Sequence, residues 1–281
     1  LVCPRHQCSA VVALVGMALR AATAKVRVPA EGGRLQKLLC GSRAGALLFR
    51  QRVAQQITLQ ALTTMGFTRS YFREDFLTGA QAALVCLSKE VLPGMQRDPS
   101  NFQHVAVVES ALQEYWLKGA GSLEAEGLEL HWEVEETTAA TLGRLHLVSG
   151  YRRSQHSAQE AASEGVCRMS FLGQTVVLRG SRRNKMDRLA SIQASVEAGV
   201  TLCVDVLLTA RQSVVLRRRE GGEVLAGQFD EAATHCLRLE AELEVVRSWT
   251  PEVDEKRGWI VSDLNSGLEG NCMVAGLPLC D

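Results

Sequence analysis

The 281-residue sequence predicts an α+β domain built as a curved antiparallel sheet with N-terminal helices packed on one face. Three observations predict it. Apolar residues recur at three- and four-residue steps up to about residue 117, and from residue 128 onward they alternate. The helical and strand patterns form two successive blocks, whereas a doubly wound parallel fold interleaves them. Each strand pattern also offers a single apolar face, which suits a sheet covered on one side.

The elements follow in order. Residues 44–64 have helix-forming composition without proline, and Gly66 ends the run. A second helix fits 74–92, where Phe76, Ala80, Ala83, Leu84, Leu87 and Val91 form one apolar face. Glu74 and Asp75 stand at its positive end, and Pro93-Gly94 is expected to stop it. A third helix fits 102–117 through Val105, Val108, Leu112 and Tyr115 or Trp116, with Gly119 and Gly121 beyond its end. Strands are expected at 128–134, 144–151, 169–178, 200–208, 212–219 and 223–226, with Gly221-Gly222 as a hairpin turn. The longest alternation, 235–246, sets Leu237, Leu239, Ala241, Leu243 and Val245 against Arg238, Glu240, Glu242 and Glu244. A last strand covers 259–264. The polar run 152–165 reads as a loop, and the Gly-rich 265–281 as a tail without regular structure.

Charge divides the chain. Lys+Arg and Asp+Glu both number 31, yet residues 1–73 carry eleven basic residues and one acidic residue, Glu31. An Arg-rich, acid-poor leader over 1–43 has the composition of a mitochondrial transit peptide, and 44–73 continues as a basic helical segment. The rival reading is a secretory signal with Arg5 as its charged start, Ala10–Leu19 as its apolar run and Ala21–Ala24 as its cleavage region. Basic residues persisting well past Ala24 favour the mitochondrial address. No uninterrupted apolar stretch approaches the roughly 18–20 residues of a spanning helix. Nine cysteines, an odd number with no C-x-x-C spacing, and the absence of an N-x-[ST] acceptor favour reduced thiols, with Cys86, Cys203 and Cys236 as small buried hydrophobes.

Phosphate-cradling glycine motifs are missing, and the histidines never fall three or four apart, so the sequence supplies no cofactor, metal or catalytic set. Gly41-Ser42-Arg43-Ala44-Gly45 lacks a nucleophile elbow's central serine. Two residues admit a sharper reading. His131 between Glu129 and Glu133 could be a carboxylate-tuned base, although a solvated acidic strand face explains it better. Asp205 could line a cavity, although an outward position is the plainer reading. Arg152-Arg153, the run Arg179, Arg182, Arg183, Lys185 and Arg188, and the triplet Arg217, Arg218 and Arg219 form a possible patch for an anionic partner. Such runs more often make a solvated rim.

The segment Tyr71–Ala83, with F-x-x-G-A-x-x-A from Phe76 through Gly79, Ala80 and Ala83, resembles the start of the domain shared by translocase of the inner membrane subunit 44 and its relatives. Thr209–Gln212 with Gly222–Gln228, including Gly227, is similar to that family's hairpin, and Gly258–Leu264, including Trp259, to its final strand. The resemblance covers about 60–264, with the domain proper at 74–264. It implies a cone-shaped fold of the nuclear transport factor 2 class and a non-enzymatic adaptor of the mitochondrial matrix, peripheral to the inner membrane. The family includes an import-motor anchor, a large-subunit protein of the mitochondrial ribosome and a partner of the m-AAA protease. The helix motif, continuing to Ser88-Lys89, looks most like the last, and the hairpin more like the ribosomal member. The implied partners are therefore an m-AAA protease, newly made membrane proteins or the mitochondrial ribosome. A small-molecule enzyme using the cone as its pocket, with His131 or Asp205 as base, stands as a further alternative.

Overall fold

A computed structural model describes residues 28–41, 49–64, 72, 74–97, 108–149, 167–171, 174–178, 200–244, 252–253 and 258–265. The helices are α1 (Ala30–Leu39), α2 (Phe49–Thr64), α3 (Asp75–Cys86), α4 (Leu92–Arg97) and α5 (Ser110–Glu124). The strands are β1 (Leu128–Ser149), β2 (Cys167–Phe171), β3 (Gln174–Leu178), β4 (Val200–Arg218), β5 (Val224–Glu244), β6 (Glu252–Val253) and β7 (Ile260–Leu264). They make an open sheet in the order β2-β3-β1-β4-β5-β6, with β7 also paired to β5. The α+β class is as expected, and the sheet is antiparallel except where β3 runs parallel to β1 through Leu147–Ser149.

The strands are longer than the alternation suggested. Residues 128–134 and 144–149 belong to one strand, β1, because register shifts at Val134/Glu136, Thr137/Ala139 and Leu142/Leu145 break the period without breaking the pairing; 150–151 lie outside the described residues. Likewise 200–208 and 212–218 are both β4, and 224–226 and 235–244 both lie on β5. The expected single strand 169–178 is instead a hairpin, with Phe171 opposite Gln174. The run 152–165, most of the tail and residues 1–27 lie outside the described residues.

Two helix ends also differ from expectation. Pro93-Gly94 does not stop the helix; a π-helical turn at Leu87–Val91, where the Leu92 N–H reaches the Leu87 carbonyl, leads from α3 into α4. The wider turn shifts the hydrogen-bond ladder just before the residue that has no N–H to give. The third helix begins at Ser110, not 102, because the Glu109 side chain accepts the Ala111 N–H at 2.9 Å and caps it there.

Gly119 and Gly121 then lie inside α5, and Gly119 has a packing reason. A β-carbon there would stand 2.8 Å from Leu35 Cβ of α1, while Leu123 of α5 occupies the space above Gly32 of α1. Each helix thus receives a leucine from the other in a glycine notch. Gly119→Val should cost about 2 kcal/mol by overpacking. Gly121→Ala, with open space at its β-carbon, should gain up to about 1 kcal/mol of helix propensity. Urea unfolding of the two variants checks the pair, and equal losses would refute the notch.

One core joins these parts. Leu35, Leu39, Leu62, Phe76, Leu84, Leu87, Leu112 and Trp116 of the helices pack on Trp132, Val134, Leu202, Val204, Val206, Leu208, Leu237 and Leu239 of the sheet. Residues 30–39, placed by composition within the leader, therefore supply fully buried leucines to the same core.

Candidate functional site

Three polar arrangements stand out against this core. The first is buried and lies on the apolar parity of the strands. Gln212 of β4 donates from Nε2 to the Leu39 carbonyl at 3.0 Å, which turns Oε1 toward Trp132 Nε1 at 2.7 Å and His235 Nε2 at 2.9 Å. An amide oxygen only accepts, so His235 carries its proton on Nε2. Its Nδ1 accepts from Asn265 Nδ2 at 2.9 Å, and that amide also donates to the Leu38 carbonyl at 2.7 Å. Asn265 Oδ1 accepts the Cys236 N–H at 2.8 Å. The network closes with a neutral imidazole, and burial pushes the His235 pKa down to about 4. It also satisfies two carbonyls at the end of α1, which no helical N–H can reach. The arrangement is a clamp on α1.

The second lies on the opposite face of the sheet. Asp205 is 4% exposed and paired across strands with Arg238, 6% exposed. Arg238 Nε donates to Oδ1 at 2.7 Å and Nη2 to Oδ2 at 3.2 Å, and Arg144 Nε adds a bond to Oδ2 at 3.0 Å. The β1 bulge before Leu145 aims Arg144 at this carboxylate. Gly143 permits it, since a β-carbon there would lie 2.7 Å from the Asp205 carbonyl oxygen. Burial alone would raise the Asp205 pKa, but the charge and hydrogen bonds of Arg238, then those of Arg144, hold it below the ordinary carboxylate value. The outward reading of Asp205 does not hold: the carboxylate is buried and bonded by two guanidinium groups. Arg238 and Glu240, expected on a polar face, are buried as well.

The third is open. A groove of about 910 Å³ runs between the Leu87–Arg97 helical stretch, the second half of α5 and the start of β1. Leu117, Leu123, Leu128, Trp132 and Met95 border it, but all except Leu117 are buried in the core. Lys89 and Arg97 stand on the helical side, Glu129 and Glu133 on the strand side, all exposed. Ser88, carried on the π-helical turn, ties the two walls: its hydroxyl donates to the Val85 carbonyl and accepts the Val134 N–H at 3.2 Å.

His131 lines this groove, with Nε2 3.6 Å from Glu133 Oε2 and a side chain 41% exposed. Arg218 lies 3.6 Å from Glu223, Arg219 is paired with Glu124, and Arg217 stands opposite Glu129 across the strands. Arg179, Arg182, Arg183 and Lys185 lie outside the described residues. Among the motif residues, Phe76 and Trp259 meet with ring centroids 4.7 Å apart. Gly227 allows close strand approach, since a β-carbon would be 3.0 Å from the Val214 carbonyl oxygen, whereas Gly79 faces open space. Cys203 and Cys236 are buried free thiols, but Cys86 is half-buried, 3.6 Å from Glu90. Burial, then the Asp205 charge, pushes the Cys236 thiol up to about 12. Neither the clamp nor the groove was read from the sequence. The one available signal was that Gln212 and His235 fall on the apolar parity of their strands.

No protein-family model matches the chain, and no curated protein matches it significantly.

Proposed function

We propose that the chain is a non-enzymatic adaptor of the mitochondrial matrix, peripheral to the inner membrane, which binds a membrane protease of the m-AAA type or newly made membrane proteins. The fold proposed with it is the cone-shaped nuclear transport factor 2 type. The address rests on the basic, acid-poor leader composition and on the resemblance through Phe76, Gly227 and Trp259. The observation that carries the adaptor reading is the open groove beside a helix-covered sheet face packed by Trp116, Trp132 and leucines. An open surface cleft with charged rims suits a protein segment. A ribosomal role draws less support from the Arg217–Arg219 triplet, because Arg218 and Arg219 already have carboxylate partners. Of the two bases weighed for an enzymatic role, Asp205 is held by two arginines and His131 is exposed beside Glu133.

Affinity purification of the tagged full-length chain from isolated mitochondria, at low and moderate salt with mass-spectrometric identification, tests the reading. Salt-resistant recovery of m-AAA protease subunits is the expected result. Salt-sensitive recovery of large-subunit ribosomal proteins would replace it with the ribosomal reading, and failure of the protein to enter mitochondria would remove the address.

A further inference from the structure

We infer that proteolytic maturation cuts this chain upstream of Val28 and spares α1. The cut falls in the basic, alanine-rich stretch Ala21–Arg27, so the leader is shorter than its acid-poor composition suggests. The enzyme that fits is an endopeptidase acting on Arg-rich, acid-poor leaders. Water adds across one peptide bond, leaving a carboxylate on the leader and a new α-amine on the retained chain. This deepens the proposed mitochondrial address and rests on it.

Charge and packing together set the boundary. Residues 1–30 carry four basic residues, Arg5, Arg20, Lys25 and Arg27, and no carboxylate. The first acidic residue, Glu31, stands in the first turn of α1, 3.7 Å from Arg34 and 3.5 Å from Lys118 of α5. Lys37 stands in the last turn. Both signs suit the helix ends that they occupy. Arg34 and Lys37, which extend the basic composition past residue 30, are therefore residues of a packed helix.

The rest of the domain depends on that helix. Leu35, Leu38 and Leu39 are buried, and Val28 packs on the same core just before the helix begins. Leu35 fills the notch at Gly119, and Leu123 fills the one at Gly32. A cut beyond α1 would strip these three leucines and empty the notch at Gly119. It would also take the Leu39 carbonyl from Gln212 and the Leu38 carbonyl from Asn265. Buried cavities and orphaned amides on that scale rival the whole stability of a domain. A cut within 21–27 removes no residue of the described core.

The test follows the full-length chain with a C-terminal tag, recovered from isolated mitochondria, its α-amine labelled and its first residue identified by mass spectrometry. A new N-terminus between Ala22 and Val28 is the expected result. Any other N-terminus, or an uncut chain inside mitochondria, would overturn the inference. A second measurement isolates the packing from the address. A site-specific protease sequence is inserted after Arg27 or after Ser42 of the full-length chain, and each chain is cut in vitro and gel-filtered. Against the uncut chains as references, the first cut should leave the urea midpoint unchanged. The second should lower it by about 1 M or more, or lose the chain to aggregation. Equal midpoints after the two cuts would show α1 to be dispensable and would overturn the inference. Recovery from secretory vesicles in place of mitochondria would defeat the address itself, and this inference with it; the in vitro midpoints separate that failure from a wrong reading of α1.

Discussion

Arg238→Met is expected to destabilise the protein by about 3–5 kcal/mol, the cost of breaking a buried ion pair by removing one partner. Asp205 is almost fully buried and takes two of its three hydrogen bonds from this guanidinium. Without Arg238 the carboxylate keeps only Arg144, whose side chain is 24% exposed. The nearby Asp263 adds negative charge that nothing at 238 would then offset. The double variant Asp205→Leu/Arg238→Met should recover most of the loss, since a buried ion pair and an apolar pair of similar volume are often near parity. Urea unfolding of the two single variants and the double gives the coupling directly. Additive losses would mean that the pair does not act as a unit.

Acidification from pH 7 to 4 is expected to cost about 3 kcal/mol through His235 alone, from the fall of its pKa from 6.5 to about 4. The sign follows from which state binds the proton. The unfolded chain takes it up near pH 6.5, whereas the folded chain resists until about pH 4, so stability present above 6.5 is withdrawn as the pH falls. About 2 kcal/mol should already be gone at pH 5. Asp205 acts in a separate window. Its lowered carboxyl pKa contributes stability that is present above about pH 4 and withdrawn only below it. Urea midpoints between pH 7.5 and 4.5 measure the effect, and nitrogen NMR of the imidazole at pH 6.5 should show the proton on Nε2. A flat stability profile across pH 7–5 would contradict the closed network.

The legible part of the fold was what period and composition carry. Leu128, Leu130, Trp132 and Val134 give β1 its buried face, and Leu237 and Leu239 give β5 theirs. What stayed hidden depends on pairing between distant segments. A bulge such as Gly143–Arg144 looks like the end of a strand, because an extra residue inverts the parity that alternation relies on. Gly119 looks like a helix terminator until Leu35 is seen to occupy its notch. Asp205 and Arg238 read as solvent-facing because alternation cannot tell a polar outer face from a buried ion pair; the β4/β5 register sets them opposite each other. The groove was least legible of all, since its walls come from three elements and most of the apolar residues that border it belong to the core.

The clamp on α1 ties the start of the described chain to its end. Leu38 is held by Asn265, 227 residues later, and Leu39 by Gln212, 173 residues later. Made at about 5–20 residues per second, the chain would carry Leu38 for some tens of seconds before Asn265 exists to receive it. Until then α1 has two unanswered carbonyls and an apolar face without its partners. A chain threaded N-terminus first, whether from a ribosome or through a membrane pore, would thus present this helix unfinished for most of its passage. The final docking of α1 would then be the event that marks a fully delivered molecule.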